Sequence, residues 1–464
     1  MNNYVGREHA SDQLDCTLTG GPRQGTKLVI QSIEGPGGIG KTALFEHVLQ
    51  KVDRVAQQML TMRVSGSPAA QVDPFQLVQT LVASSEVPVA LKKPLAQRFT
   101  NTEEVRAVYG ALTAQARGAL AQALPDLPIE ALMKALGIAV ASGLKFNEFI
   151  PKTKLFLNFE AIEKRLPAIE AMLNSLPAFR DELPGVLEKL GLSKSAALRN
   201  AVRGNALNAL AEAFVSDLTA LMAGYDKQQL LRPAQAKVPG LARLLLVVDD
   251  YEALSEHFGE FLVSHLVPRL KLAPFETVLV IVGRDQLALT HPGWSQHHQR
   301  ELRPALPLAA LSRAEMDAMV SAHGRSGKAE LDRAWTDTLG YPLLVTLWLE
   351  EAQEAGPGDG PSIGLLKRFH DRTTYWLSNE QKRWLYHALH LPAVNVETFA
   401  AVLGEEAEAR RAMDWFQGDG SVRDAQGKAF RVRPYVRSRL ADYLAATDPV
   451  FARALQARAQ PLAQ

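Results

Sequence analysis

The sequence predicts an α/β protein: a parallel sheet opened by a strand–glycine loop–helix unit, with a long helical insertion, a helical lid domain and a C-terminal winged helix. Three observations carry this reading. Apolar runs at 27–33, 244–248 and 278–282 lack polar alternation, as expected of central strands covered on both faces. The first run passes through a glycine cluster straight into a helical pattern, the opening of a parallel α/β unit. Beyond residue 378, three helical segments, a hairpin and a further helix follow in winged-helix order.

Taken in order, KLVIQSI at 27–33 is a strand ending at Glu34, and Leu44, Val48, Leu49 and Val52 fall on one face of the helix that follows. A second strand fits 59–64. From about 100 to 240 the chain is rich in Ala and Leu and reads as helix after helix, broken at Pro125, Pro151, Pro167, Pro184 and Pro233. LLLVV at 244–248 and VLVIV at 278–282 supply two more strands. Ser312 with Glu315, and later Ser378 with Gln381, have the spacing of capping boxes that open helices. AGPGDGP at 355–361 reads as a linker. Helices are then predicted at 379–390, 396–403 and 406–416, with SVR and AFRVR flanking DAQGK as a hairpin and a terminal helix from about 434. The corresponding boundaries are 1–100 with 240–300 for the sheet domain, 101–239 for the insertion, 301–354 for the lid, 363–446 for the winged helix and 447–464 for a C-terminal helix. No solenoid or propeller repeat is visible.

Composition narrows the function classes. With 47% hydrophobic and 22% charged residues the chain is an ordinary globular protein rather than a disordered one. The 51 Lys+Arg against 50 Asp+Glu leave a net charge of +1, so no global field draws it to nucleic acid or an anionic membrane. Cys16 is the sole cysteine, which excludes an internal disulfide or a zinc cluster and suits a reducing compartment. The N-terminus lacks a secretory signal, and the most apolar stretch, 131–144, is shorter than the ~20 residues a bilayer requires. The expectation is a cytoplasmic protein without a membrane span.

The most specific motif is Gly35-Pro-Gly-Gly-Ile-Gly-Lys41-Thr42, a full match to GxxxxGK[ST]. Glycines let such a loop turn its backbone N–H groups toward phosphate with no Cβ in the way, and the following helix adds its positive end. Lys41 would reach the β- and γ-phosphates, and the Thr42 hydroxyl would ligate Mg²⁺. The candidate phosphate-binding set is therefore Gly35, Pro36, Gly37, Gly38, Ile39, Gly40, Lys41, Thr42 and the adjoining Ala43. Asp249 and Asp250 end an apolar strand, at the edge where open α/β sheets bind ligands. Asp249 would hold Mg²⁺ through water and Asp250 would orient or deprotonate the attacking water, with Glu252 as the alternative base. Arg284, after the 278–282 strand, would stabilise charge developing on the γ-phosphate.

In this order, with Tyr4-Val5-Gly6-Arg7-Glu8 at the start and Gly340-Tyr341-Pro342 before an apolar helix, the residues resemble the STAND class of signal-transduction P-loop ATPases. That class is related to NB-ARC and NACHT proteins and to AAA+ machines. The resemblance covers about 1–90 and 240–446 and leaves out the helical middle. It implies a prokaryotic P-loop NTPase binding ATP or ADP with Mg²⁺. Val5 and Arg7 would border the adenine or its connecting segment, Arg284 would act as a sensor, and Pro342 would pack on the base from the lid. Many members carry a winged-helix histidine on the β-phosphate of ADP. Here Arg433 stands at that position, within Phe430-Arg431-Val432-Arg433-Pro434. Arginine also donates to phosphate, with a planar fork. No effector domain precedes Tyr4 and no repeat array follows the winged helix, which implies a subunit of a split system or a fragment of a longer chain.

The expected function is an ATP/ADP-controlled signalling switch with slow ATP hydrolysis. It would change conformation or form a homo-oligomer to control an effector protein; the resemblance implies bacterial immunity or transcriptional control as the setting, with antiviral defence the favoured one. The helical insertion would suit partner docking. The alternative is a DNA-associated AAA+-like ATPase using the winged helix, with Arg423, Lys428, Arg431, Arg433, Arg437 and Arg439 as its basic cluster.

Overall fold

A computed structural model describes residues 6–22, 25–54, 56–66, 74–87, 98–107, 206–229, 241–354, 361–374, 377–419, 422–424 and 430–462. Val5, most of the 101–239 insertion with its proline breaks and its 131–144 stretch, most of the linker, and Lys428 lie outside the described residues.

Helix α1 (Glu8–Gly20) precedes strand β1 (Leu28–Glu34), and the glycine loop runs into α2 (Lys41–Lys51). Then come β2 (Met59–Ser65), α3 (Pro74–Ala83), α4 (Ala206–Gln229) and β3 (Arg243–Asp249). Helix α5 (Tyr251–Glu260) continues through a π-helical segment, Phe261–Leu266, into α6 (Val267–Leu272). Strand β4 (Glu276–Gly283), the short α7 (Leu287–Thr290) and α8 (Gly293–His297), and β5 (Leu306–Pro307) complete this part.

The five strands form one sheet in the order β2-β3-β4-β1-β5. All pairings are parallel, with Glu34 opposite Gly283 and Val248 opposite Ile281. Parallel strands carry all their carboxyl ends to one edge, so β4 brings the ends of β1 and β3 to either side of its own. The unbroken apolar runs have a direct cause. Val29, Ile33, Val247, Val278, Val280 and Val282 face one core with α1 and α2, and Leu28, Ile30, Leu246, Val248, Leu279 and Ile281 face the other with α3, α4 and α5.

Two boundaries shift from the sequence reading. The sheet extends past 300, because β5 adds to β1 through Ile33–Leu306 and Glu34–Pro307. Helix α4, placed by sequence in the insertion, covers the sheet: its Leu210, Phe214 and Leu218 are fully buried there.

Beyond β5 lie α9 (Arg313–Ala322), α10 (Lys328–Thr338), α11 (Pro342–Glu354) and α12 (Ile363–Thr374). Next are α13 (Asn379–Ala388), α14 (Val396–Leu403), α15 (Glu406–Gly418), a hairpin of β6 (Arg423–Asp424) and β7 (Arg431–Val432), α16 (Pro434–Thr447) and α17 (Pro449–Ala459). The Ser312/Glu315 and Ser378/Gln381 capping boxes are formed, and Asn395 with Thr398 makes a third. Helix α12 packs on α16 and on α11. Among the described residues no helix is long and apolar enough to cross a membrane.

Candidate functional site at the carboxyl edge of the sheet

The loop Gly35–Gly40 leaves β1 in a conformation that its glycines permit. Gly35 has φ 147° and a Cβ there would lie 2.9 Å from the Leu308 carbonyl oxygen. Gly38 has φ 80° and a Cβ would strike Leu343 at 2.8 Å. Side chains at either position would force the loop apart. Every carbonyl from Gly35 to Gly38 has a donor. Lys41 Nζ donates to Gly35 O at 2.8 Å and Pro36 O at 3.1 Å, and Ile39 N–H closes a turn on Pro36 O at 3.2 Å. The Tyr341 hydroxyl donates to Gly37 O, and Leu343 N–H donates to Gly38 O at 3.1 Å.

Lys41 is 7% exposed. Burial lowers its pKa, the Glu252 charge pulls it back up, Arg284 lowers it, and Asp250 and Asp249 raise it. Among the described residues the Lys41 hydrogen bonds go to neutral carbonyls, which an anionic partner can replace.

The acids lie across the edge on β3 and the start of α5. Thr42 donates to both Asp249 oxygens, at 3.3 and 3.2 Å, and the Asp250 N–H donates to Asp249 Oδ1 at 3.0 Å. Arg63, from β2, donates Nη2 to Asp249 Oδ2 at 2.7 Å and pairs on its other side with Glu46. Asp250 adopts a left-handed backbone, φ 49° and ψ 47°, at the N-cap of α5, and its carboxylate accepts from the Ser65 hydroxyl at 3.2 Å. Partial burial and the neighbouring Asp249 charge raise its pKa, against the Ser65 hydrogen bond and the charges of Lys41 and Arg284. Glu252 engages Arg284 twice, Oε1 with Nε at 2.7 Å and Oε2 with the backbone N–H at 3.1 Å. Burial raises the Glu252 pKa, opposed by Arg284 and Lys41.

The Thr42 and Asp249 oxygens suit a small hard cation. Thr42 Oγ1 and Asp249 Oδ2 lie 3.2 Å apart, a hydroxyl and a carboxylate oxygen of the kind that would hold Mg²⁺ directly or through water. Among the described residues no group of three or more His, Cys, Asp or Glu could hold a metal. A divalent ion on this pair would therefore complete its shell with water and phosphate, as Mg²⁺ does.

The C-terminal elements close the other side. Arg7, also left-handed at φ 62°, donates its N–H to Glu315 at 2.8 Å and its Nη2 to Ala309 O at 2.9 Å; a Cβ on Gly40 would come within 3.2 Å of Arg7 Nη1. Pro342 is the first residue of α11 and half-buried, between the two residues that hold the loop carbonyls. Tyr341 stacks on Tyr435 of α16, ring centroids 4.0 Å apart. Arg433, the N-cap of α16, donates its N–H to Val422 O at 2.8 Å. Burial raises the Tyr341 pKa, and the charges of Arg433, Arg284 and Arg7 oppose this, so three cations act on a hydroxyl bonded to the glycine loop. The hairpin also reaches the β4 edge, where Arg423 pairs with Asp285 at 3.1 Å, the two side chains only 11% and 12% exposed.

Of the expected residues, Gly35 through Thr42, Asp249, Asp250, Glu252, Arg284 and Arg7 come together at this edge, with Pro342 and Arg433 on its C-terminal side. Ala43 is exposed on the first turn of α2. Sequence reasoning missed Arg63, which looks like an ordinary charge inside a strand, and the Tyr341–Tyr435 pair. The basic cluster is not one solvated face: Arg423 pairs with Asp285, and Arg439 is 7% exposed and donates to Thr336 O and Asp442.

No protein-family model matches the chain, and no curated protein does. Among solved structures the chain is similar to the Walker-type ATPase PABY2304 of Pyrococcus abyssi, with 12% identity over 94% of this chain and 96% of that one and a TM-score of 0.48. It is also similar to the Aeropyrum pernix ORC2 protein in ADPNP–ADP complexes, with 11% identity, coverage of 99% and 97% and a TM-score of 0.41. For Drosophila ORC bound to DNA the identity is 11%, the coverage 98% and 87%, and the TM-score 0.34. At such identities the site has to be argued from its own residues.

Proposed function

We propose that this chain is a cytoplasmic P-loop ATPase that binds ATP or ADP on Gly35–Thr42 and works as a nucleotide-controlled switch of the STAND type. The observation that carries the binding reading is the buried, acid-enclosed Lys41 beside the Thr42–Asp249 pair. In this reading Lys41 exchanges its loop carbonyls for the β- and γ-phosphates, and Thr42 and Asp249 hold Mg²⁺. When bound, that ion neutralises charge between the phosphates. Asp250 orients the attacking water, because both Glu252 oxygens are taken by Arg284. Arg284 in turn donates to charge developing on the γ-phosphate.

The switch reading is supported by the Arg423–Asp285 pair, which joins the hairpin to the residue after Arg284. Helices α9–α11 act as the lid and α13–α16 with the hairpin as a winged helix. ADP favours the form in which Arg433 and Pro342 close on the nucleotide; ATP favours an open, self-associating form that engages an effector, in a setting such as bacterial antiviral defence. Linkage requires the two nucleotides to bind the two forms unequally. The test is the size of the purified protein with ADP and with a non-hydrolysable ATP analogue, together with its turnover of ATP measured separately. The switch predicts a larger species with the analogue only; identical size in both, with no turnover, contradicts it. DNA association through the winged helix is the less favoured reading, since Arg423 and Arg439 are committed inward.

A further inference from the structure

The first four carbonyls of the loop, Gly35 to Gly38, divide into two pairs with different owners. Gly35 O and Pro36 O are held by Lys41, which leaves them when it turns to a phosphate. Gly37 O and Gly38 O are held from outside, by the Tyr341 hydroxyl and the Leu343 N–H of the α11 start. A trans peptide is planar, with its C=O and the next N–H pointing opposite ways. Fixing Gly37 O on Tyr341 therefore aims the Gly38 N–H away from α11. Fixing Gly38 O on Leu343 sets the plane that carries the Ile39 N–H, which donates to Pro36 O within the loop.

Tyr341 is itself immobilised. It is 2% exposed, lies 4.0 Å and 17° from the Tyr435 ring, and meets Phe369 of α12 edge-on at 6.1 Å. Its hydroxyl position depends on α16 and α12, which belong to the C-terminal half of the chain.

We propose that Tyr341 is a positioning residue for the glycine loop: its hydroxyl fixes the Gly37–Gly38 peptide so that the Gly38 N–H is preset for phosphate, and Tyr435 makes that setting depend on α16. This rests on the nucleotide reading above. Tyr341 needs no contact with the nucleotide to act, and its effect is confined to the phosphates.

The experiment measures competition of ADP, and of pyrophosphate alone, against a fluorescent ADP analogue for the wild type, Tyr341→Phe, Tyr435→Leu and Lys41→Ala. Loss of one neutral hydrogen bond should weaken ADP and pyrophosphate by the same factor, about three- to tenfold, in Tyr341→Phe. Tyr435→Leu keeps the hydroxyl, removes the ring it packs on, and should weaken both by a smaller common factor. It also carries the test should Tyr341→Phe fail to fold. Unchanged affinities in both tyrosine variants, with Lys41→Ala inactive in binding, overturn the positioning role and leave the nucleotide reading standing. A loss for ADP alone, with pyrophosphate unaffected, also overturns it, since Tyr341 would then serve the base. Absence of Lys41-dependent ADP binding in the wild type overturns the nucleotide reading itself.

Discussion

Arg63 tests how the Asp249 carboxylate is held. Its Nη2 sits 2.7 Å from Asp249 Oδ2, its other side pairs with Glu46, and its Cζ lies 5.9 Å from the centre of the Phe45 ring. The Asp249 side chain is 4% exposed and that of Arg63 33%. Removing one partner of a fully buried pair costs about 3–5 kcal/mol, whereas exposed pairs contribute about 0–1. With one partner buried and the other one-third exposed, Arg63→Gln should cost about 1–3 kcal/mol, because Asp249 keeps the Thr42 and Asp250 donors. At roughly 2–4 °C per kcal/mol, melting should fall by about 2–12 °C. A divalent cation would restore positive charge at the same carboxylate. The deficit should therefore narrow in thermal melts with excess Mg²⁺ and ADP compared with EDTA alone. Glu46→Gln, which removes only the outer partner and leaves the Asp249 contact, should melt within about 4 °C of wild type and closer to it than Arg63→Gln. An Arg63→Gln variant as stable as wild type, or a deficit identical in both buffers, would refute the account of Asp249.

Three further outcomes follow from the same geometry. Burial raises the Glu252 pKa, so as pH climbs past the ordinary carboxyl value of 4.5 the unfolded chain loses its proton first and stability falls until the folded carboxyl ionises too. Glu252→Gln removes this contribution and should flatten the melting-temperature profile above pH 4.5, while a profile parallel to wild type would mean Glu252 titrates normally. Asp250→Ala should bind ATP yet turn over about 10²–10⁴-fold more slowly, whereas Asp249→Ala should lose the Mg²⁺ dependence of binding; normal turnover in Asp250→Ala with a slow Glu252→Gln would reverse the assignment of the base. Arg433→Ala should loosen ADP by about ten- to a hundredfold, with Arg433→Lys recovering part of it; unchanged ADP affinity with weakened duplex binding would favour the DNA reading instead.

Much of the sheet was legible because its cause is local. The runs at 27–33, 244–248 and 278–282 are apolar without alternation since both faces are covered, and each lies in a strand of the sheet. Capping boxes are read from four residues and need no tertiary context, which is why Ser312 and Ser378 could be placed. Strand β5 could not: Leu306–Pro307 is a strand only because β1 offers it an edge. Helix α4 was misassigned for a related reason, since an Ala/Leu pattern does not say which surface its apolar face meets. At the site, residues within motifs stood out, Lys41 and Asp249 above all. Arg63 and Tyr435 did not, because each takes its meaning from a partner far away in sequence, Asp249 and Tyr341 respectively. Tyr341 lay between two residues already singled out, Gly340 and Pro342, and its hydroxyl rather than its neighbours touches the loop.

The central claim is that a nucleotide sits on Gly35–Thr42 with Lys41 on its phosphates. Calorimetric titration of ADP into wild type and Lys41→Ala tests it most directly. A charge-assisted contact of this kind predicts saturable one-site binding to the wild type that falls by about ten- to a hundredfold or more in the variant, with melting in the absence of nucleotide little changed. Equal ADP affinity in the two proteins would contradict it.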